Sequence, residues 1–369
     1  MIDFELSDEQ KMVRETVGAF ARERIRPAAR QADESESIPQ ELIQQAWQLG
    51  LGREPIPEEL GGFGGKRSVL TGAVAVEELA YGDLAIALHI MTPALFAFPI
   101  LEVGTDEQRR TYLPLATGDE FPFVTAALME PRFDFDPTAL TTRARKIASG
   151  FTLHGAKCFV PLAGEARAFL VYAQLENGAH GFDSVKAFIV ERGAKGLSLG
   201  EREKNMGLKA LASYELALDL ELGPESIVGG EDSSYGARLL SESRVALSAM
   251  AVGVAKAAFE YSRDYAKERH AFGAPIATKQ AIAFMLAEMA LEIEASRLLA
   301  WQAAVALDKG GDAIKEASCA KNYASSVALK VADNAVQILG GHGYIREHPV
   351  EMWLRNARGF AILEGVAIV

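Results

Sequence analysis

The sequence predicts a multi-domain α+β protein, and three observations carry that expectation. Up to about residue 120, apolar side chains recur at helical spacing. From about 121 to 230 the apolar runs are short, alternating and β-rich, and from about 231 the helical spacing returns and persists to the end. The expected organisation is an N-terminal all-α domain over residues 1–120, a middle β-domain or barrel over 121–230, and a C-terminal helical domain over 231–369.

Each element has its own signal. Ser7 and Gln10 have capping-box spacing, and Val13, Val17, Phe20, Ala21 and Ile25 follow on one helical face. Pro27 limits or bends that helix. An amphipathic segment near Gln40–Leu49 ends at Gly50, and the prolines and glycines between Glu54 and Gly65 require a loop. Helical spacing resumes over Ser68–Tyr81, Leu84–Val103 and Asp106–Ala116. Strands are expected at Phe121–Leu128, Phe151–His154, Ala168–Gln174, Ala187–Glu191 and Tyr214–Leu220, with turns at Glu176-Asn177-Gly178 and Gly193–Gly196. Long helices then cover Leu239–Lys267, Thr278–Leu307 beyond Pro275, and Ala313–Leu339 beyond Gly310-Gly311. Gly340-Gly341 ends the last of these, and a further helix is expected to end at the carboxylate of Glu364. These C-terminal helices carry more apolar surface than one bundle needs, which predicts helix-on-helix oligomerisation.

Composition excludes more than it selects. Of the 369 residues, 49% are hydrophobic and 24% charged, ordinary for a globular chain. A net charge of −12 argues against a nucleic-acid backbone as partner. Cys158 and Cys319 are far apart and form no metal-spaced set, and the histidines lack any HExxH pattern, so neither a disulfide framework nor a metal is expected. The first residues include acidic Asp3 and Glu5 rather than a basic-then-apolar leader, and no uninterrupted apolar stretch of membrane-spanning length occurs. A cytoplasmic protein without membrane association is expected, with a processed matrix form as the alternative.

Two polar positions stand out. Glu364 follows the apolar run Phe360, Ala361, Ile362 and Leu363, a setting expected to desolvate its carboxyl and raise its pKa towards base strength. Arg269 closes a helix just before the turn at Phe272-Gly273, where a guanidinium fork suits a pyrophosphate.

In chain order, several segments extend the pattern: Leu6–Gln10, Pro57–Gly65, Glu77-Glu78-Leu79-Ala80, Gly104–Gln108, Tyr112-Leu113-Pro114, Met206-Gly207-Leu208, Arg269–Gly273 with Gln280, Gln337–Tyr344, Arg355–Arg358 and Leu363-Glu364-Gly365. Together they resemble the acyl-CoA dehydrogenase family, and the resemblance runs nearly the whole chain. It implies an α-domain, a β-domain and a C-terminal four-helix bundle, bound FAD, and oxidation of an acyl-CoA substrate to the trans-2-enoyl-CoA. It also implies a homotetramer built as a dimer of dimers, and an electron-transfer flavoprotein as acceptor. By resemblance Glu364 is the catalytic base. Its backbone N–H and a ribityl hydroxyl would polarise the thioester carbonyl, and the hydride would go to flavin N5. Arg269, Phe272 and Gln280 would hold the FAD pyrophosphate and adenosine region, and Gln337, Gly340 and Gly341 would reach the FAD bound mainly by the neighbouring subunit. Met129, Phe159 and Pro161 would flank the flavin, and Arg244 and Gly365 would lie on the substrate side. Ser243, where some relatives carry the base, has no carboxylate.

Departures cluster at the flavin ring. The family's T-E-P-x-A-G-S-D reads Met129-Glu130-Pro131-Arg132-Phe133-Asp134-Phe135-Asp136, and its K-x-W-I-T-N reads Lys157-Cys158-Phe159-Val160-Pro161-Leu162. Met129 and Pro161 lack the hydroxyls, Pro161 also lacks a backbone donor, and Val366 replaces the Thr after Glu364-Gly365. At about 1 kcal/mol per lost hydrogen bond, three losses correspond to roughly a hundredfold weaker FAD binding or an altered potential. Phe133 and Phe135 are expected to crowd the mouth of the site. The alternatives to a working dehydrogenase are a silent or FAD-poor subunit of a hetero-oligomer, and a flavoenzyme of the same fold with other chemistry. Acyl-chain length is not readable from these residues.

Overall fold

Local capping fixes where the N-terminal helices begin. The computed structural model describes residues 5–176, 181–233 and 235–369, so the expected turn at Asn177-Gly178 lies outside the described residues, as does Asp3. Helix α1 (Asp8–Phe20) starts at the capping box, Ser7 N–H donating to Gln10 Oε1 at 3.0 Å and Gln10 N–H to Ser7 Oγ at 3.2 Å. Pro27 does not stop the chain. One π-helical turn, Ala21–Ile25, leads into α2 (Arg26–Ser35), which takes the proline in its first turn, where no intrahelical N–H is needed.

After α3 (Gln40–Trp47) come α4 (Val69–Gly82) and α5 (Leu84–Val103). The Asp308 carboxylate supplements the Ser68 cap of α4, accepting from Val69 N–H at 2.7 Å and Leu70 N–H at 3.1 Å. By length and composition α5 could cross a membrane, yet it is buried along nearly its whole length, which makes it the core helix of this layer. Helix α6 (Asp106–Tyr112) has a Thr105–Gln108 capping box, and Gln108 also donates to Glu225 O and Ile227 O at 2.8 Å, joining helices to sheet.

The middle region is one curled sheet of β1 (Val124–Ala127), β2 (Arg143–Ile147), β3 (Gly150–Pro161), β4 (Ala168–Leu175), β5 (Val185–Glu191), β6 (Leu197–Arg202) and β7 (Ser213–Leu222). Neighbours run β1-β4-β2-β3-β7-β6, with β5 on the other side of β4. Three expectations change here. The first strand is shorter than Phe121–Leu128, β3 runs past His154 to Pro161, and β2 and β6 were not anticipated. The register of β3 against β7 shifts between Lys157 and Val160, a bulge that puts Phe159 at φ +50°.

Helices α7 (Gly236–Glu268), α8 (Gln280–Asp308) and α9 (Ile314–Leu339) form the C-terminal bundle, with the short α11 (Val350–Ala357) as its fourth member and the one-turn α10 (Gly341–Tyr344) between. Val245, Met250, Val254 and Ala258 of α7 pack in the same core as Ala324, Val331 and Ala335 of α9. A Cβ on Gly253 would meet Glu77 O at 2.1 Å, so α7 and α4 approach closely only because that residue is glycine. Along α8, Phe284, Leu291 and Leu298 are 59%, 72% and 43% exposed, an apolar stripe with two turns between members.

Candidate active site

The Glu364 backbone is pinned by two neighbours. The expected helix running into this carboxylate is corrected: α11 stops at Ala357, a 3-10 turn covers Arg358–Ala361, and Glu364 follows in irregular chain. Gly365 N–H donates to the buried Ser243 Oγ at 2.9 Å. Gly365 has φ +66°, and a Cβ there would lie 2.4 Å from Leu128 Cδ2, so the turn after the carboxylate requires glycine. With its N–H given to Ser243, Gly365 shapes the turn rather than meeting a ligand through that group. Glu364 N–H points to Met129 Sδ at 3.5 Å.

The carboxylate itself is not isolated among apolar groups, as its sequence surroundings implied. Lys321 Nζ donates to Glu364 Oε1 at 3.0 Å, and Arg244 Nε and Nη2 lie 3.3 Å from the same oxygen. Arg244 is oriented by Ser318 Oγ at 2.7 Å, one turn before Lys321 on α9. The apolar run left a different mark: Oε2 is buried and has no hydrogen-bond partner among the described residues. One oxygen is anchored by two cations, and the other has no partner among the described residues.

Met129 and Lys157 sit on one buried seam. Cys158 N–H donates to Met129 O at 3.0 Å, and Lys157 Nζ donates to Leu128 O at 3.0 Å and Glu130 Oε1 at 3.1 Å. Burial lowers the Lys157 ammonium to about 8 against the pull of Glu130. Burial alone would raise the Glu130 carboxyl. Lys157 and the bonds from Thr141 and Thr142 outweigh it and bring the group to about 2. Phe159 is half-buried, and its N–H donates to Glu203 Oε1 at 3.0 Å. Phe159, Met206, Leu208, Arg358, Ile362 and Leu363 are among the residues lining a cavity of about 100 Å³. Pro161 is buried in β3, paired with Ser213. Phe133, expected to crowd the mouth, is fully exposed, and Phe135 packs on the core.

Two further segments converge from afar. Leu208 N–H donates to Asn356 Oδ1 at 2.8 Å, Arg355 donates to Met206 O at 3.2 Å and pairs with Asp33 at 2.6 Å, and Asn356 Nδ2 donates to Asp83 at 3.4 Å. Burial pushes the Asp83 carboxyl up to about 6. The Arg355–Arg358 segment is thus a structural knot joining α2, the α4–α5 junction and the loop between β6 and β7.

Arg269, Phe272, Gln280, Gln337, Gly340 and Gly341 lie on the outside of the bundle and are not brought to Glu364 within this chain. Arg269 caps α7, and its carbonyl accepts from Ile276 N–H at 2.8 Å across the hairpin of β8 (His270–Ala271) and β9 (Ala274–Pro275). The side chains of Arg269, Gln280 and Gln337 are exposed and make no hydrogen bond among the described residues. Gly340 ends α9 at φ +59° and ψ −130°, and nothing lies within 4 Å of a Cβ placed on Gly340 or Gly341. Open donors beside side-chain-free backbone fit the diphosphate end of FAD. At the ring end the half-buried Phe159 would offer a flat aromatic face, while Met129 and Pro161 would offer no hydroxyl.

Comparison with known proteins identifies the family. The families described as "Acyl-CoA dehydrogenase, N-terminal domain", "middle domain" and "C-terminal domain" match residues 7–119, 125–220 and 235–367. The short-chain-specific acyl-CoA dehydrogenase of Clostridium acetobutylicum is 35% identical over 374 residues, covering 100% of this chain and 97% of that protein. Butyryl-CoA dehydrogenase from Megasphaera elsdenii superposes with a TM-score of 0.87 at 33% identity, covering 98% of this chain and 95% of that one. The FAD complex of PigA superposes with a TM-score of 0.89 at 26% identity, covering 98% and 95%. The chain belongs to the acyl-CoA dehydrogenase family.

Sequence reasoning missed Lys321, Ser318 and the anchoring role of Ser243. Lys321 is 43 residues from Glu364 and borders the apolar face of α9, so only tertiary packing identifies it.

Proposed function

We propose that Glu364 is the base that removes the α-proton of a short-chain acyl-CoA thioester, the free, buried Oε2 being the accepting atom. The chain is an FAD-dependent acyl-CoA dehydrogenase, and the observation that carries the assignment of the base is the split carboxylate: Oε1 on Lys321 and Arg244, Oε2 unpartnered. Fixing one oxygen orients the other, and burial excludes the water that would compete for it. The Glu364 N–H beside the base is placed to polarise a carbonyl whose α-carbon faces Oε2. FAD, when bound, supplies the acceptor for the β-hydride. Arg269, Gln280 and Phe272 would hold its diphosphate and adenosine end, Gln337, Gly340 and Gly341 would meet the FAD of a neighbouring subunit, and Phe159, Met129 and Pro161 would border the ring. Short-chain preference is supported by the two relatives that act on short acyl groups, as their names state.

The same reading takes domain limits near 120 and 230, a cytoplasmic homotetramer, and an electron-transfer flavoprotein as acceptor. The exposed α8 stripe supports the assembly. Titration of FAD-free protein with FAD tests the reading. Saturable binding is expected, and no binding at high FAD concentration would favour a silent structural subunit.

A further inference from the structure

We propose that Met129 is a placeholder for the substrate's thioester carbonyl: its sulfur occupies the Glu364 N–H until the substrate displaces it. The proposal rests on the reading of Glu364 as the base, and it assigns Met129 a positioning role in substrate entry.

The two consecutive N–H groups at this turn are held unequally. Gly365 N–H has a hydroxyl oxygen, Ser243 Oγ, at 2.9 Å, whereas Glu364 N–H has, among the described residues, only a thioether sulfur at 3.5 Å. A thioether is a weak acceptor, and a partly buried amide gains by exchanging it for a carbonyl oxygen. Of the two donors, the Glu364 N–H is therefore the exchangeable one, and it belongs to the same residue as the unpartnered Oε2. A carbonyl accepted there would bring its α-carbon to the base.

Met129 can yield that position without disturbing the fold. Its backbone is tied to β3 by Cys158 N–H at 3.0 Å, the residue as a whole is 6% exposed, and it is the side chain that reaches the Glu364 N–H. A methionine side chain has three rotatable bonds and repacks readily. Gly365, 2.4 Å from Leu128 Cδ2 were it to carry a Cβ, shows how tightly the turn presses on the Leu128-Met129 segment. A thioester therefore enters when the Met129 side chain rotates, and not by widening the backbone.

The test uses the FAD-loaded protein and crotonyl-CoA, a trans-2-enoyl thioester that the forward reaction does not oxidise further. Labelling methionine methyl groups with 13C and assigning Met129 by its loss in Met129→Leu gives a direct reporter. The Met129 methyl resonance should shift on saturation, and Met129→Ala should bind crotonyl-CoA about fivefold more tightly, because no sulfur has to be displaced. Binding of crotonyl-CoA with an unmoved Met129 resonance overturns the placeholder while leaving the base intact. No binding to either protein overturns the thioester reading as well. Should Met129→Ala fail to fold, the wild-type resonance decides alone.

Discussion

Lys321 Nζ lies 3.0 Å from Glu364 Oε1, while Oε2 of the same carboxylate is buried without a partner among the described residues. The carboxylate proposed as the base is thus held by one atom, and its other oxygen has no partner among the described residues. Replacing Glu364 with Gln keeps the side-chain volume and removes the proton acceptor. Turnover should fall by at least about a hundredfold with FAD content and melting temperature little changed. Steady-state rates beside a thermal melt check this, and retention of more than about a tenth of the activity would assign the proton to another residue.

With Glu364 as the proposed base, Lys321 would act through its contact with Oε1. Lys321→Met leaves Arg244 as the lone cation on Oε1, so the carboxylate should lose its fixed direction. The expected result is a kcat lowered by about tenfold to a hundredfold with KM less affected, and partial recovery in Lys321→Arg. Equal kcat in wild type and Lys321→Met would mean that Arg244 suffices.

The buried Lys157–Glu130 pair gives the fold an acid limit. Glu130 sits near 2 in the folded chain against an ordinary 4.5, so its contribution is complete above 4.5 and is lost as pH falls towards 2. Urea unfolding across that window should show stability dropping with acid, and the drop should be shallower in Glu130→Gln. At neutral pH the same variant strands the Lys157 charge and should cost about 3–5 kcal/mol.

On the outer face, Arg269→Ala and Gly341→Asp should each weaken FAD retention without changing the melt of the FAD-free protein. Both positions are exposed and open in the single chain, so the effect would come through the cofactor. Equilibrium dialysis against FAD measures it, and unchanged retention in both variants would remove this face from the binding site.

The α8 stripe makes a matching prediction for assembly. Leu291 is 72% exposed at its centre, and Leu291→Lys should place a charge in a subunit contact. Sedimentation should show a smaller particle that holds FAD less well, whereas an unaltered tetramer would put the contact elsewhere.

Much of this architecture is legible from local pattern. Leu84–Val103 reads as a helix from its helical spacing, and the structure buries it as α5. The Ser7 cap reads correctly because capping chemistry is confined to four residues, whereas the matching Thr105–Gln108 box emerges only in the structure. By contrast, β2 is the run Arg143-Ala144-Arg145-Lys146-Ile147, and β6 ends the strand path with most residues exposed. Neither carries a strong apolar alternation, and both are held by pairing with β3 and β7. At the site, Glu364 stood out through its motif, but its contacts did not. Lys321, Arg244 and Ser243 come from other helices, and Met129 came into view as a missing hydroxyl rather than as the atom facing the Glu364 N–H. Chain-distant polar contacts leave no periodic trace.

Anaerobic addition of butyryl-CoA to the FAD-loaded protein tests the central claim most directly. Wild type should lose its oxidised-flavin absorbance on mixing, while Glu364→Gln, equally loaded with FAD, should keep it over the same time. A wild-type protein that binds FAD and butyryl-CoA yet leaves the flavin oxidised would contradict the account.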